Sequence, residues 1–369
     1  MKITINIIRL FVGLLFIFSG LVKAIDPLGL SYKMQEFFEL WKMTQFNSFT
    51  LWLSILMIAF EIIAGAALLL GWKMKLFSWL LLLLIVFFTF LTGYAYLSGK
   101  FKNCGCFGDC IPISPLTSFI KDLALLALIL LLFVYRNKIK PLFAEKINRL
   151  VMLPATVFSF GLQWYALKYL PPVDCLPFKK GNNISEKMKM PANAVPDSVV
   201  MTFVYEKAGN RVEFTADKFP DDFNDSLYKF INRYDKLIRK GKNNEPPIKG
   251  FSVSGITNID STGIVLNMPY VVILFEEKPV TNSSKWEKQF SEIQQEAMKK
   301  SIPVFIVTAS VDEYMQKKKM DLPVLKCDFT AIRTAARANP TLYLLKKGTV
   351  EGKWAAADLE KAISKIKTL

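Results

Sequence analysis

The sequence predicts a polytopic α-helical membrane bundle of four to five spans followed by a soluble α/β domain. Three observations carry this expectation. The chain is 52% hydrophobic over 369 residues, and its apolar residues fall in long runs confined to positions 1–170. Positions 171–369 are polar enough to be soluble and long enough to bury a core. In the last third, short β-branched and aromatic runs alternate with amphipathic stretches, the pattern of helices laid on a small mixed sheet.

The runs are Ile3–Val22, Trp52–Leu70, Leu76–Leu97, Thr117–Tyr135 and Val151–Tyr169. Each can cross a hydrocarbon layer about 30 Å thick at about 1.5 Å per helical residue. The fifth is the weakest, because Pro154, Gln163 and Lys168 interrupt it, and an interfacial helix is its alternative. The first run resembles a signal peptide, but Leu21-Val22-Lys23-Ala24 is a poor cleavage site, so a retained helix is expected. Lys2, Lys73, Lys75, Arg136, Lys138, Lys140, Lys146 and Arg149 lie between runs on one side, against Lys23, Lys33, Lys42, Lys100 and Lys102 on the other. The first set is richer and is expected to face the cytoplasm. The N-terminus is then cytoplasmic, and the loop at 104–110 and the soluble domain lie outside.

The formal charge of +16 raises a nucleic-acid reading. The lysines form no compact stripe, so no nucleic-acid partner is expected; cytoplasmic-leaflet lipid explains the charge more simply. There is no histidine, which excludes Ser-His-Asp, Cys-His and HExxH chemistry and histidine-ligated haem.

Polar residues within the spans are expensive. Arg9, near a helix end, can snorkel to the interface. Glu61 lies deeper and should face protein, paired with Arg9 or Lys23 or protonated; a structural tether and a proton-handling role both stand. Gly65 and Gly71 allow close helix contact.

The cysteines give the sharpest chemical clue. Three of five lie in Cys104-Gly105-Cys106-Phe107-Gly108-Asp109-Cys110, between the third and fourth runs. An oxidising side permits disulfides. Cys104 and Cys106 form the best candidate pair, in a small ring that Gly105 would allow. Cys106 with Cys110 is the other option, leaving Cys104 as the attacking thiol. Lys100, Lys102 and Lys121 would favour a thiolate and Asp109 oppose it. A redox relay, a static disulfide and a three-thiolate soft-metal site remain open, with no metal assigned. Cys175 follows the fifth run at the level of the loop, either as a shuttle or as a structural residue. Cys327 reads as a buried small hydrophobe at a strand end.

In the soluble part, residues 176–197 read as linker. Val199–Tyr205 and Arg211–Thr215 read as a hairpin, Phe219–Phe230 as a short helix, and 237–250 as a polar connection. Val271–Phe275, Ile302–Thr308, Pro340–Leu345 and Val350–Trp354 read as strands. Ser284–Lys299 and Ala357–Ile366 read as helices.

The element order over 268–369, with Asn339-Pro340-Thr341-Leu342-Tyr343-Leu344-Leu345-Lys346-Lys347-Gly348, resembles a thioredoxin fold. That resemblance implies a cis bond at Pro340, beside the usual active site. The region after the first central strand, Glu276–Trp286, carries no Cys-x-x-Cys, so the domain is expected to be redox-inactive by the usual route and to bind a partner or its own membrane part. Arg9, Ser19-Gly20-Leu21-Val22-Lys23, Glu61 with Gly65, and Cys104-Gly105-Cys106-Phe107-Gly108-Asp109 resemble the DoxX-like and MauE-type membrane proteins, in a Bacteroidetes form with a thioredoxin-like extension. MauE-type proteins look related in design to vitamin K epoxide reductase and DsbB-type oxidoreductases, which admits a quinone as electron acceptor with Glu61 as proton carrier. The resemblance implies four units: a four-helix membrane domain at 1–135, a cytoplasmic loop and fifth helix at 136–170, a linker and small β extension at 171–250, and a thioredoxin-like domain at 251–369. The expected function is thiol–disulfide exchange or electron relay at the periplasmic face of the bacterial inner membrane, through Cys104, Cys106, Cys110, Cys175 and Glu61. A scaffold that docks a periplasmic protein is the alternative, with Arg9, Lys23 and Pro340 in structural or partner-binding roles, and a transporter comes third.

Overall fold

The computed structural model describes the chain except residues 1, 102, 104, 106, 240, 256–257, 278–283 and 318–321. Among the described residues, five helices are long and apolar enough to cross a membrane. They are α1 (Lys2–Ala24), α3 (Thr50–Leu70), α4 (Met74–Ser98), α5 (Pro115–Val134) and α6 (Glu145–Tyr169). The expected spans fall inside these helices to within one residue, and the chain contacts the lipid bilayer as a multi-pass protein. Leu10, Leu14, Trp52, Leu83, Phe90 and Leu153 point outward, as a lipid-facing surface requires.

Glycine sets the closest helix pair. A Cβ on Gly65 of α3 would lie 2.7 Å from the Gly13 carbonyl oxygen of α1, so only hydrogen fits there. Gly71 does something else. It caps α3 in the left-handed region, at φ 67°, and turns the chain into α4.

Between α1 and α3 lies a helix the sequence reading passed over, α2 (Pro27–Leu40). Its start signal is standard: the Asp26 carboxylate accepts from the Gly29 amide at 3.2 Å, and Pro27 occupies the first turn. It is too short to span, and its apolar residues Leu30, Met34 and Phe37 pack down onto the bundle.

The chain after α6 holds two sheets. After a short helix α7 (Ile184–Lys187), the first sheet has strand order β2-β1-β3, from β1 (Ser198–Lys207), β2 (Asn210–Thr215) and β3 (Tyr228–Arg239). The β1–β2 hairpin matches the sequence reading. Phe219–Phe230 does not form a helix. Pro220 and Asn224 anchor turns there, and Phe219, Phe223 and Tyr228 fold back on Tyr205 and Phe214 in an aromatic cluster. The segment read as a polar connection from 237 is strand as far as Arg239.

The second sheet contains β4 (Val253–Ser254), β5 (Val271–Phe275), β6 (Val304–Thr308), β7 (Val324–Cys327), β8 (Thr341–Lys346) and β9 (Thr349–Ala355), in spatial order β4-β7-β6-β5-β8-β9. β5, β6 and β7 run parallel, and β5–β8–β9 are antiparallel. The helices are α8 (Thr262–Asn267), α9 (Ser284–Lys299), α10 (Val311–Lys317), α11 (Phe329–Ala335) and α12 (Leu359–Lys367). Alternation along β5 decides the layers. Val272 and Leu274 face Phe290, Ile293 and Ile363 of α9 and α12. Val271, Ile273 and Phe275 face Ile332 and Ala335 of α11. The Asn339–Pro340 bond is cis. This is a thioredoxin-like α/β sandwich, as the sequence predicts.

Residues 176–197 are more than linker. Phe178 and Ile184 are buried in the α11-side core, and Asn182 and Gly181 bond to Val350 of β9. Their irregular backbone hides this in the sequence, because buried loop residues carry no period.

Candidate functional site

The two cysteine-bearing regions meet at one end of the bundle. Cys110 is disulfide-bonded to Cys175, 65 residues away. The bond joins the loop after α4 to the segment after α6, so Cys175 is not spare, and Cys110 is paired with it rather than with Cys106. Cys104 and Cys106 lie outside the described residues. Gly105 between them has φ 68°, and its carbonyl accepts from the Gly108 amide at 3.0 Å. A side chain at that φ would be strained and would press on Lys33 of α2, 2.9 Å away.

An aspartate precedes each half of the disulfide, and a cation from the thioredoxin-like domain holds each aspartate. Arg337, just beyond α11, donates from Nε to Asp26 at 2.8 Å and from Nη2 to Asp109 at 2.6 Å. Its third nitrogen donates to the Arg333 carbonyl at 2.8 Å, so each of the three guanidinium nitrogens has an acceptor. Lys353 of β9 pairs with Asp174 at 2.9 Å. Arg333 extends the joint, donating to Gln35 of α2 at 2.6 Å and to Glu277 at 3.1 Å. It lies over the Tyr32 and Phe329 rings. Glu277 in turn donates its amide to Asn339 at 2.9 Å, beside the cis proline. The proline edge of the soluble domain therefore rests on α2 and the cysteine loop, consistent with the expectation that this domain docks on its own membrane part.

Electrostatics follow from burial. The Asp26 carboxyl is pushed above its ordinary range by desolvation, with Asp109 adding to the effect and Arg337 opposing it. Arg337 is 5% exposed. Burial disfavours its charge, yet the attraction of Asp26 and Asp109 outweighs this and keeps it ionised. Burial lowers the Lys353 ammonium despite Asp174. Tyr32 is raised to about 12 by burial and by Glu277.

Glu61 pairs with Lys23, not with Arg9. Both partners are buried, at 1% and 3% exposure. Glu61 also accepts from Ser19 at 2.9 Å, and Lys23 lies over Phe88. This pair faces a narrow cavity in the bundle whose wall includes Gly105 of the cysteine loop. Lys121, expected to favour a thiolate, bonds Asp122 at 2.6 Å and lies over Phe107 of the cysteine loop. Arg9 reaches the opposite end of the bundle, beside Gly71. Cys327 ends β7 and is buried there, as expected, and burial raises its thiol to about 12.

Asp26, Asp174, Arg337 and Lys353 were not singled out in the sequence. Asp26-Pro27 carried a helix-start signal, and the repeated Asp-Cys at 109–110 and 174–175 was visible. Their cationic partners lie 179 to 311 residues away along the chain, and no local pattern links them.

Comparison with known proteins finds two family matches in this chain. Residues 1–135 match the family described as methylamine utilisation protein MauE. Residues 199–240, the three-stranded sheet, match a domain of unknown function, DUF8463. Protein TlpB of Flavobacterium psychrophilum is 27% identical over 201 residues, 53% of this chain and 54% of that protein. The chain thus spans about half the length of this curated relative. Among solved structures, peroxiredoxin Q of Xanthomonas campestris aligns over 32% of this chain and 89% of its own, at 18% identity and TM-score 0.25. A thioredoxin-like protein from Bacteroides caccae aligns over 89% of this chain and 84% of its own, at 12% identity and TM-score 0.24.

Proposed function

We propose that the protein is a thiol–disulfide exchange or electron-relay protein of the bacterial inner membrane, acting at the periplasmic face. The observation that carries this reading is the Cys110–Cys175 disulfide, set one residue from two clamped aspartates and in the same short loop as Cys104 and Cys106. A thiolate of Cys104 or Cys106 attacks one sulfur of the Cys110–Cys175 bond. A new S–S bond forms, the old one breaks, and the displaced sulfur leaves as a thiolate with the electron pair. A second loop thiol resolves the intermediate. Two electrons then pass from the loop thiols to the 110/175 pair, and a periplasmic protein thiol or disulfide is the external partner.

The family resemblance admits a quinone, and the bundle cavity offers both apolar and polar lining to one. Phe16, Met57 and Phe88 supply apolar wall, Ser19 and Lys23 supply donors, and Glu61 supplies an acceptor. Bound there, a quinone would act as a sink for two electrons and two protons. Glu61 would hold a proton and Lys23 would balance its charge. The soluble domain lacks a Cys-x-x-Cys, and its role in this reading is to hold Asp109 and Asp174 through Arg337 and Lys353.

Single-cysteine trapping tests the relay. With Cys110→Ser, Cys175 is left without its partner and should capture a protein as a mixed disulfide in cells, visible on non-reducing gels and lost when Cys175 is also replaced. Absence of any trapped species from Cys110→Ser, Cys175→Ser, Cys104→Ser and Cys106→Ser alike would instead support the scaffold reading, in which the disulfide only fastens the base on which the soluble domain sits.

A further inference from the structure

The bundle end opposite the cysteines contains an anomaly. Arg9 is only 8% exposed, yet among the described residues its guanidinium makes no hydrogen bond or ion pair. A buried guanidinium without an acceptor is unfavourable, all the more so within a membrane span. Its Nη1 lies 2.9 Å from where a Cβ on Gly71 would sit, with the Lys140 carbonyl oxygen 2.8 Å and the Pro141 Cα 3.3 Å from that same point. Gly71 and Pro141 line a recess of about 450 Å³, together with Trp72, Lys73, Lys75 and Arg136. Glu145 is the acidic group facing it. That carboxylate already accepts the Trp72 indole N–H at 3.1 Å and pairs with Arg149. Three cations therefore line the recess about one engaged carboxylate, and Arg9 lies against Gly71 in its wall.

We propose that this recess holds the phosphate of an anionic phospholipid, with Arg9 as the buried contact and Lys73, Lys75 and Arg136 around its mouth. Position favours a lipid over a free ion. The recess is built where α3 and α5 end and α4 and α6 begin, the level at which head groups lie. It is rimmed by Trp72, as membrane interfaces commonly are. Exposed apolar residues flank it, Leu76 on α4 and Leu142 before α6, and acyl chains can lie along them. The recess is also at the Lys/Arg-rich end, and anionic lipid binds in basic pockets of this kind.

The test uses the full-length protein, delipidated in neutral detergent and titrated with phosphatidylglycerol, phosphatidylcholine or inorganic phosphate while thermal unfolding is followed. Phosphatidylglycerol should raise the unfolding midpoint saturably, and the other two should not at the same concentration. Arg9→Gln should remove most of the rise. Lys73→Gln and Arg136→Gln, which leave the buried contact intact and safeguard against a misfolded Arg9 variant, should each weaken apparent affinity about fivefold. Equal shifts from phosphatidylglycerol and phosphatidylcholine would overturn the proposal. A shift from inorganic phosphate equal to that from phosphatidylglycerol would overturn the lipid assignment. Unchanged phosphatidylglycerol binding in the mouth variants would overturn the site.

Discussion

Arg337 and Arg9 are buried to nearly the same degree, 5% and 8% exposed, and their surroundings differ completely. Arg337 meets two carboxylates of the membrane part, and its third nitrogen donates to a backbone carbonyl. Arg9 meets none among the described residues. The first is a joint completed within the chain, and the second is completed from outside it. Burial alone does not say what a charge is for; the partner does. Lys23–Glu61 resembles the Arg337 case, with both charges and a hydroxyl supplied internally.

The sharpest way to break this comparison is to remove the cation from the completed joint. Arg337→Ala leaves Asp26 and Asp109 without their partner and should destabilise docking by about 3–5 kcal/mol, the usual consequence of breaking a buried ion pair from one side. Hydrogen exchange should then rise along α2 and around Asp109, while the β5–β8 core stays protected. Full protection in the variant would mean that the apolar contacts alone hold the domain.

Glu61→Leu makes the same cut inside the bundle, stranding Lys23. The expected loss is again about 3 kcal/mol, and Lys23→Met added to Glu61→Leu should recover most of it. Additive losses in the double variant would show that the two side chains do not act as a pair. Gly65→Ala comes next. Its methyl would lie 2.7 Å from the Gly13 oxygen, so α1 and α3 must separate, at about 1–3 kcal/mol of unfolding stability measured in detergent.

Acidity should sharpen the comparison more gently. The Asp26 pKa is raised on folding, so the docked form binds its proton more tightly than the undocked form. Joint stability then falls as pH rises from the ordinary value of 3.8 through the raised one. Asp26→Asn should flatten that slope, and a slope of opposite sign would mean that Arg337 outweighs burial at Asp26. The smallest effect belongs to Cys327→Ala. It should leave thiol exchange untouched and cost about 1 kcal/mol, and the native thiol should resist alkylation at pH 8, given its rise to about 12.

Much of the architecture was legible because lipid and sheet each impose a period or a length. The five spans, helix 284–299 and the strands around Pro340 follow from runs and alternation. Helix α2 was not legible, because its 14 residues are too short for a span and lie between two long apolar runs, and the Asp26-Pro27 start signal stood alone. Phe219–Phe230 misled because aromatic clusters serve turns as well as helices. Within the candidate site, the cysteines and Glu61 stood out by chemistry. The Arg337 and Lys353 clamps did not, since pairing between charges 228 and 179 residues apart leaves no local trace.

The central claim is that the 110/175 disulfide exchanges. Its most direct test is thiol trapping in native membranes poised at a series of redox potentials, with peptide mapping of Cys104, Cys106, Cys110 and Cys175. The account predicts that Cys110 and Cys175 become alkylatable reversibly near the periplasmic poise, and that Cys104 and Cys106 titrate in the same sense within an overlapping window, as electron transfer between the two pairs requires. A Cys110–Cys175 bond that stays oxidised at every potential, while Cys104 and Cys106 never change state, would contradict it.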